Sequence, residues 1–337
     1  MKVLVVIFFL FLIDLYFYFG TASTVNKLLC HSSIYKLIYW VVSVLVYTAI
    51  IYVFLTYEKT TPSIRFNDTI VYSSLVFIIF IAKFIGILPL LIDDMVRLFK
   101  YMISFFVSNK VVSDLSRLEF LKKSALVISG TLFSTLLYGM IWGRYNFKKN
   151  HQDIFIEDWP KSKEGYKIIH ISDLHLGSFN DIQKLDEVVD MINDEKADLV
   201  VFTGDLVNNY YHEATPYIKT LKKIHAKDGK YSILGNHDYC DYVGWKRDSD
   251  EWKDNFKNLL ELQKNIGFDL LLNDSRHISV SGEGFNLVGV ENYGDGNFNK
   301  DGDLNLAMDS VDTSFPTILL SHDPSHWRSE VLASKYR

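Results

Sequence analysis

Four apolar runs, at residues 3–19, 37–55, 70–92 and 125–142, constrain this chain more than any other feature. Each approaches the roughly 20 residues that a helix needs to cross the hydrocarbon of a bilayer. Backbone N–H and C=O groups find no water there, so such runs predict spanning helices whose hydrogen bonds close internally. The first run follows Lys2 and ends near Gly20, Thr21, Ala22 and Ser23, which is also the layout of a secretory signal. Three further runs follow, and an uncleaved first span is the expectation. Asp14 lies inside the first run and Lys83 inside the third. A long lysine stem can reach a carboxylate on another span, so both are expected to be structural. Asp93 and Asp94 end the third run, where headgroups would solvate them.

Loop lysines and arginines set the orientation of such a bundle. Arg97, Lys100, Lys110, Arg117, Lys122 and Lys123 lie between the third and fourth runs, with Lys27 and Lys36 on the same side. Lys2, Lys59, Arg65, Arg144, Lys148 and Lys149 lie on the other. The bias puts the first group in the cytoplasm and everything after the fourth run outside. The stretch Ser116-Arg117-Leu118-Glu119-Phe120-Leu121-Lys122 resembles a twin-arginine export signal in which Leu118 replaces the second arginine; a basic amphipathic stretch explains it equally. Residues 99–107 are expected at the membrane interface.

Beyond the fourth run the texture changes. Residues 1–145 form the expected transmembrane region of about four helices, 146–165 a polar linker and 166–337 a soluble domain. Strands are expected at 166–171, 199–202, 231–234, 269–272, 277–280, 285–290 and 317–320. Helices are expected at 181–193, where Ile182, Leu185, Val188, Val189 and Ile192 share a face, around 217–224, and at 250–265. A βαβα opening followed by hairpin-like strands predicts an α/β fold, a mixed β-sheet sandwich flanked by helices. The net charge of −5 offers no basic excess for nucleic acid. Only two cysteines occur, Cys30 and Cys240, far apart, which argues against a disulfide framework or a cysteine zinc site.

Four of the strands run into residues able to bind metal. Asp173-Leu174-His175 follows the first, Gly204-Asp205 the second, Gly235-Asn236-His237-Asp238 the third and Ser321-His322-Asp323 the last. In open α/β sheets, sites form at the carboxyl ends of strands, so these loops are expected to converge. Carboxylate oxygen with imidazole nitrogen suits Mn, Fe or Zn. Gly204 and Gly235 permit tight turns and close backbone approach. Asp205 offers two oxygens and so can bridge two cations, which would clamp a phosphate and generate a hydroxide nucleophile.

In this order, the strings His170-Ile171-Ser172-Asp173-Leu174-His175-Leu176-Gly177, Phe202-Thr203-Gly204-Asp205-Leu206-Val207, Leu234-Gly235-Asn236-His237-Asp238-Tyr239 and Leu320-Ser321-His322-Asp323-Pro324 resemble the calcineurin-like metallophosphoesterase family. They look most like its membrane-attached bacterial branch, related to lipid A precursor hydrolases. The resemblance implies a hydrolase with two divalent metal ions. Asp173 and His175 would hold the first, Asp205 would bridge, and Asn236 and His322 would hold the second. His237 would contact the phosphate and protonate the leaving oxygen, with Asp238 orienting its ring. The implied substrate is a phosphomonoester, phosphodiester or pyrophosphate, with the membrane attachment pointing to a lipid-linked one. The implied partners are that substrate and the lipid bilayer. Family members also carry a later Gly-His-x-His segment, which this sequence does not reach before Arg337. A C-terminally truncated sequence is the expectation; a phosphoesterase-like domain that only binds a ligand is the alternative.

Other polar residues read as structural. His170 is expected to pack on its strand, and His212 and His225 to lie at the surface. Glu291, Asn292 and Asp295 fit a turn as well as a site. Tyr239, Tyr242 and Trp245 form an aromatic patch that could face a lipid or sugar, with core packing the plainer reading.

Overall fold

The computed structural model describes residues 2–29, 32–56, 62–105, 115–280, 283–296 and 299–336. Cys30, Lys59, Lys110 and the last two residues of the expected interfacial stretch lie outside the described residues. Two units divide the chain, Met1–Phe147 and Lys148–Arg337.

The apolar runs become helices that extend well past them: α1 (Lys2–Leu29), α2 (Ser32–Thr56), α3 (Pro62–Ser104) and α4 (Leu115–Ile141). All four are long and apolar enough to cross a membrane. The twin-arginine-like stretch forms the first turns of α4 rather than a separate surface segment. The outer face of this unit is apolar, unlike that of a water-soluble bundle, and polar side chains share its interior with apolar ones. Phe8, Phe9, Leu45, Phe77 and Val127 point outward, while Asp14, Thr21, Ser43, Asp93 and Ser129 are buried. Only a hydrocarbon solvent makes that arrangement favourable. Small residues let α3 and α4 approach closely. A Cβ on Gly86 would lie 1.7 Å from Ser129 Oγ and 2.9 Å from the Ala125 carbonyl.

Lys83 reaches a carboxylate on another span, as its long stem allows, and that carboxylate is Asp14, with which it forms an ion pair. The Asp14 carboxylate also accepts from Tyr39 Oη at 3.0 Å and Tyr47 Oη at 2.7 Å. Asp93 is buried rather than free in a headgroup layer. It accepts from Arg97 at 2.6 Å and faces Arg117 at 3.1 Å.

In the second unit, β1 (Ile168–Ile171), α5 (Ile182–Asp194), β2 (Leu199–Phe202), α6 (Ile218–Leu221), β3 (Lys230–Ser232), α7 (Asp250–Ile266) and β4 (Asp269–Leu270) follow in order. Their strands make a parallel sheet in the order β1-β2-β3-β4. Parallel strands need crossovers, and helices supply them. Asp181 caps α5 by accepting from the amides of Gln183 and Lys184, and Gly267 ends α7 at φ 99°. A second sheet joins β5 (Asp274–Val280) antiparallel to β6 (Glu283–Gly289), and β6 parallel to β7 (Thr317–Leu320). Short helices α8 (Leu304–Ala307) and α9 (Ser325–Ser329) flank β7 in sequence.

Leu199, Val201, Ile233 and Leu271 from the first sheet region pack with Ile278, Phe285, Leu287 and Leu320 from the second, so the two sheets share one core. This is the expected α/β sandwich with helices. β2 and β7 occupy their expected residues. β5 starts earlier, at Asp274, because its ladder with β6 already begins there, with Asp274 opposite Gly289.

Candidate metal centre

All four motif loops leave the carboxyl ends of β1, β2, β3 and β7, and backbone bonds tie them together. The amides of Asp173, His175 and Leu176 donate to the carbonyls of Gly204, Asp205 and Leu206, each at 3.0 Å. Gly204 and Gly235 are where two loops pass in near contact. A Cβ on Gly204 would lie 2.2 Å from the Gly235 nitrogen, and one on Gly235 would lie 2.2 Å from Asp205 Oδ1. Asp173, His175 and Asp205 take positive φ values of 56°, 44° and 59°. Side chains rarely adopt that region, and such strain tends to gather where the surroundings need a particular side-chain direction.

These loops bring the candidate ligands onto Asp205. Its Oδ2 lies 3.4 Å from His175 Nε2 and 3.5 Å from His322 Nε2, while its Oδ1 accepts from the His237 amide at 2.9 Å. His175 Nε2 is 3.7 Å from Asp173 Oδ1. Two ligand groups result, each with its atoms within 4.8 Å of one another: His175, Asp205 and His237, and Asp173, Asp205 and His322. Asp205 belongs to both.

The donor chemistry fits divalent metal. His322 Nδ1 is 2.7 Å from the Thr203 carbonyl, which can only accept, so Nδ1 carries the proton. A neutral ring then aims the bare Nε2 lone pair at two more oxygens, Asn236 Oδ1 at 3.1 Å and Asp205 Oδ2. Acceptors facing acceptors require a positive charge between them. With protein groups alone, a proton fills that role. Burial lowers the His322 pKa, but the Asp205 carboxylate, the Thr203 carbonyl and Asp173 outweigh it and raise it to about 9. Burial would raise Asp205, yet His322 and the His237 amide hold it below the usual carboxylate range. A carbonyl that accepts from the other ring nitrogen, as Thr203 does here, is also the usual partner of a metal-binding histidine.

His237 is held the same way, with Nδ1 2.7 Å from the Asn208 carbonyl. Asp238 does not orient that ring. Its carboxylate turns back into the loops and accepts from the amides of Asp205 at 2.8 Å, Leu206 at 2.9 Å, Val207 at 3.4 Å and Gly235 at 3.0 Å. The tight turn Asn236–Tyr239 sends neighbouring side chains in different directions, which separates Asp238 from the ring it precedes in the motif. Burial and the Asp205 charge push Asp238 up to about 7 against the pull of those amides.

Several contributors carry no sequence signal. Thr203 and Asn208 act through backbone carbonyls, which every residue has. Glu213 collects the amides of Asn208, Asn209 and Tyr210, and so fixes the segment that holds His237. Other residues read from sequence fall elsewhere. Glu291 accepts from Tyr239 Oη at 2.8 Å and Asn273 Nδ2 at 2.9 Å, and the Asp295 amide donates to Ser325. His170, expected to pack, is exposed and bonded to Thr203 Oγ1 at 2.7 Å.

A family model described as "Calcineurin-like phosphoesterase" matches residues 166–336. A second, "Probable Calcineurin-like phosphoesterase, transmembrane domain", matches residues 1–144. The chain therefore belongs to the calcineurin-like phosphoesterase family, and it is a membrane protein. An uncharacterized metallophosphoesterase of Helicobacter pylori is 26% identical over 282 residues, 82% of this chain and 66% of that protein. A transmembrane protein with metallophosphoesterase domain from Danio rerio is 27% identical over 59% of this chain and 44% of its own length. The UDP-2,3-diacylglucosamine pyrophosphatase LpxG of Chlamydia trachomatis is 28% identical over 48% of this chain and 57% of its own. Each match thus spans 66% or less of the relative's length.

Proposed function

We propose that this chain hydrolyses a phosphoric ester or anhydride bond of a lipid-linked substrate at a centre of two divalent cations. The observation that carries the reading is that Asp205 belongs to both ligand groups, its Oδ2 lying 3.4 Å from His175 Nε2 and 3.5 Å from His322 Nε2. Asp173 and His175 would hold one cation, Asn236 and His322 the other, with Asp205 bridging; Mn, Fe and Zn suit this oxygen and nitrogen set. Bound there, the pair would supply Lewis-acid charge for the phosphoryl oxygens and acidify the attacking water. His237 is kept for the leaving group. With Nδ1–H on the Asn208 carbonyl, Nε2 is the nitrogen that, once protonated to give the imidazolium, would deliver its proton to the departing oxygen and leave the ring neutral. Asp238 serves by holding the loop amides that shape Asp205.

The substrate reading rests on the membrane unit and on similarity to a pyrophosphatase whose named substrate is a diacylated sugar nucleotide. The loop charge bias supports an extracytoplasmic soluble unit, which protease accessibility in intact cells would test. Manganese-dependent hydrolysis of bis-p-nitrophenyl phosphate by the purified protein is the direct test of chemistry. Activity that survives Asp205→Ala would overturn the bridging role.

A further inference from the structure

The aromatic patch after the third motif divides in the structure. Tyr239 is buried on Phe256 and bonded to Glu291, and Trp245 packs edge-on against Tyr210 at 5.6 Å. Tyr242 alone is exposed, at 54%, and it alone touches the candidate centre. It sits on the short turn Asp241–Val243, between Cys240 at φ 61° and Gly244 at φ 82°. That left-handed pair folds the chain back over the turn that carries Asn236 and His237.

Tyr242 makes two contacts there, with different consequences. Asn236 Nδ2 donates to its hydroxyl at 2.6 Å. An asparagine amide can present oxygen or nitrogen to a neighbour, and only the oxygen can ligate a cation. With Nδ2 engaged by Tyr242, Oδ1 is the end that faces His322 Nε2 at 3.1 Å. The second contact is a stack: the Tyr242 ring lies over the His237 imidazole, centroids 4.4 Å apart and planes 29° from parallel. The Asn208 carbonyl fixes one edge of that imidazole, and the tyrosine fixes its face. An edge and a face together define where Nε2 points.

We infer that Tyr242 is a positioning residue for this centre, its hydroxyl setting which end of the Asn236 amide faces the metal position and its ring setting the plane of His237. The inference rests on the metal-centre reading above. It differs from core packing in a testable way, because half the side chain is open to solvent and its polar atom serves a ligand.

The full chain in detergent, titrated with Mn(II) by calorimetry and assayed with bis-p-nitrophenyl phosphate, separates the two contacts. Tyr242→Phe keeps the ring and removes the hydroxyl, and Mn(II) affinity should fall about 10- to 100-fold, as for other partners of metal ligands. Tyr242→Ala should lose the same affinity and also show kcat at saturating Mn(II) about 10- to 100-fold below that of Tyr242→Phe, because the acid is misaligned. A Tyr242→Phe affinity equal to wild type overturns the inference, as does a Tyr242→Ala kcat equal to that of Tyr242→Phe. Absence of Mn(II) binding by the wild type overturns the metal-centre reading and this inference with it; wild-type binding with an unaltered Tyr242→Phe overturns the inference alone.

Discussion

Each unit of this protein buries a carboxylate, and the two are treated in opposite ways. Asp14, fully buried among the membrane helices, meets donors on both oxygens: Lys83 and Tyr39 on one, Tyr47 on the other. Asp205, 3% exposed, meets one amide on Oδ1 and two imidazole nitrogens standing off Oδ2 at 3.4 and 3.5 Å. A charge closed off by its neighbours locks helices in register. A charge ringed by other would-be ligands, at distances too long for good hydrogen bonds, is prepared for something that arrives later. Asp238 sharpens the contrast from within the same loops. It is as buried as Asp14, and four amides satisfy it.

The comparison breaks most visibly at Asp205. Asp205→Ala should abolish Mn(II) binding and cut hydrolysis more than about 100-fold, beyond what loss of a ligand's partner costs. Asp14→Ala should leave Mn(II) affinity untouched and instead strand Lys83 in the bundle, lowering stability by about 3 kcal/mol. Calorimetry with Mn(II) and thermal denaturation in detergent read the two effects separately. An Asp14 variant that lost metal binding would collapse the distinction.

Much of this was legible in the sequence because ligands and strands share local patterns. The runs before Gly204 and Ser321 became β2 and β7 at their expected residues, since short apolar runs closed by turn residues leave few alternatives. Lys83 paired with Asp14 because apolar runs offer few other partners. Asp238 was misread for an equally physical reason. Adjacency in Asn236-His237-Asp238 suggests contact, but the turn sends the carboxylate to amides from two loops. The carbonyls of Thr203 and Asn208, which set both imidazoles, have no side-chain signature at all.

Protonation offers the next test. The raised His322 pKa of about 9, above the roughly 6.5 of a free histidine, means its contribution to stability is fully present below pH 6.5 and is lost as pH rises through 9. The depressed Asp205 pKa acts at the other end, its contribution being lost as pH falls through the folded value. Chelator-treated protein should therefore lose about 3 kcal/mol of the His322 contribution between pH 6.5 and 9.5. Cations must displace that proton, so Mn(II) affinity should climb by up to about tenfold per pH unit below 9 and flatten above it. A flat affinity across that window would mean that the cation displaces no proton from His322. Asp14 variants, which leave His322 and its partners unchanged, should keep the same slope as wild type.

The smallest effect is expected inside the membrane unit. Tyr47→Phe removes the 2.7 Å donor to Asp14 Oδ2 but keeps the ring, whose centroid is 6.1 Å from that of Phe80. Lys83 and Tyr39 still hold Oδ1, so the charge stays paired. Interhelical hydrogen bonds in bilayers average about 0.6 kcal/mol, and the loss should be of that size by thermal denaturation in detergent. A loss above about 2 kcal/mol would mean that Asp14 needs all its donors at once. The two buried carboxylates would then differ in what completes them, a fixed set of helices for Asp14 and an incoming cation for Asp205, rather than in how tightly each must be completed.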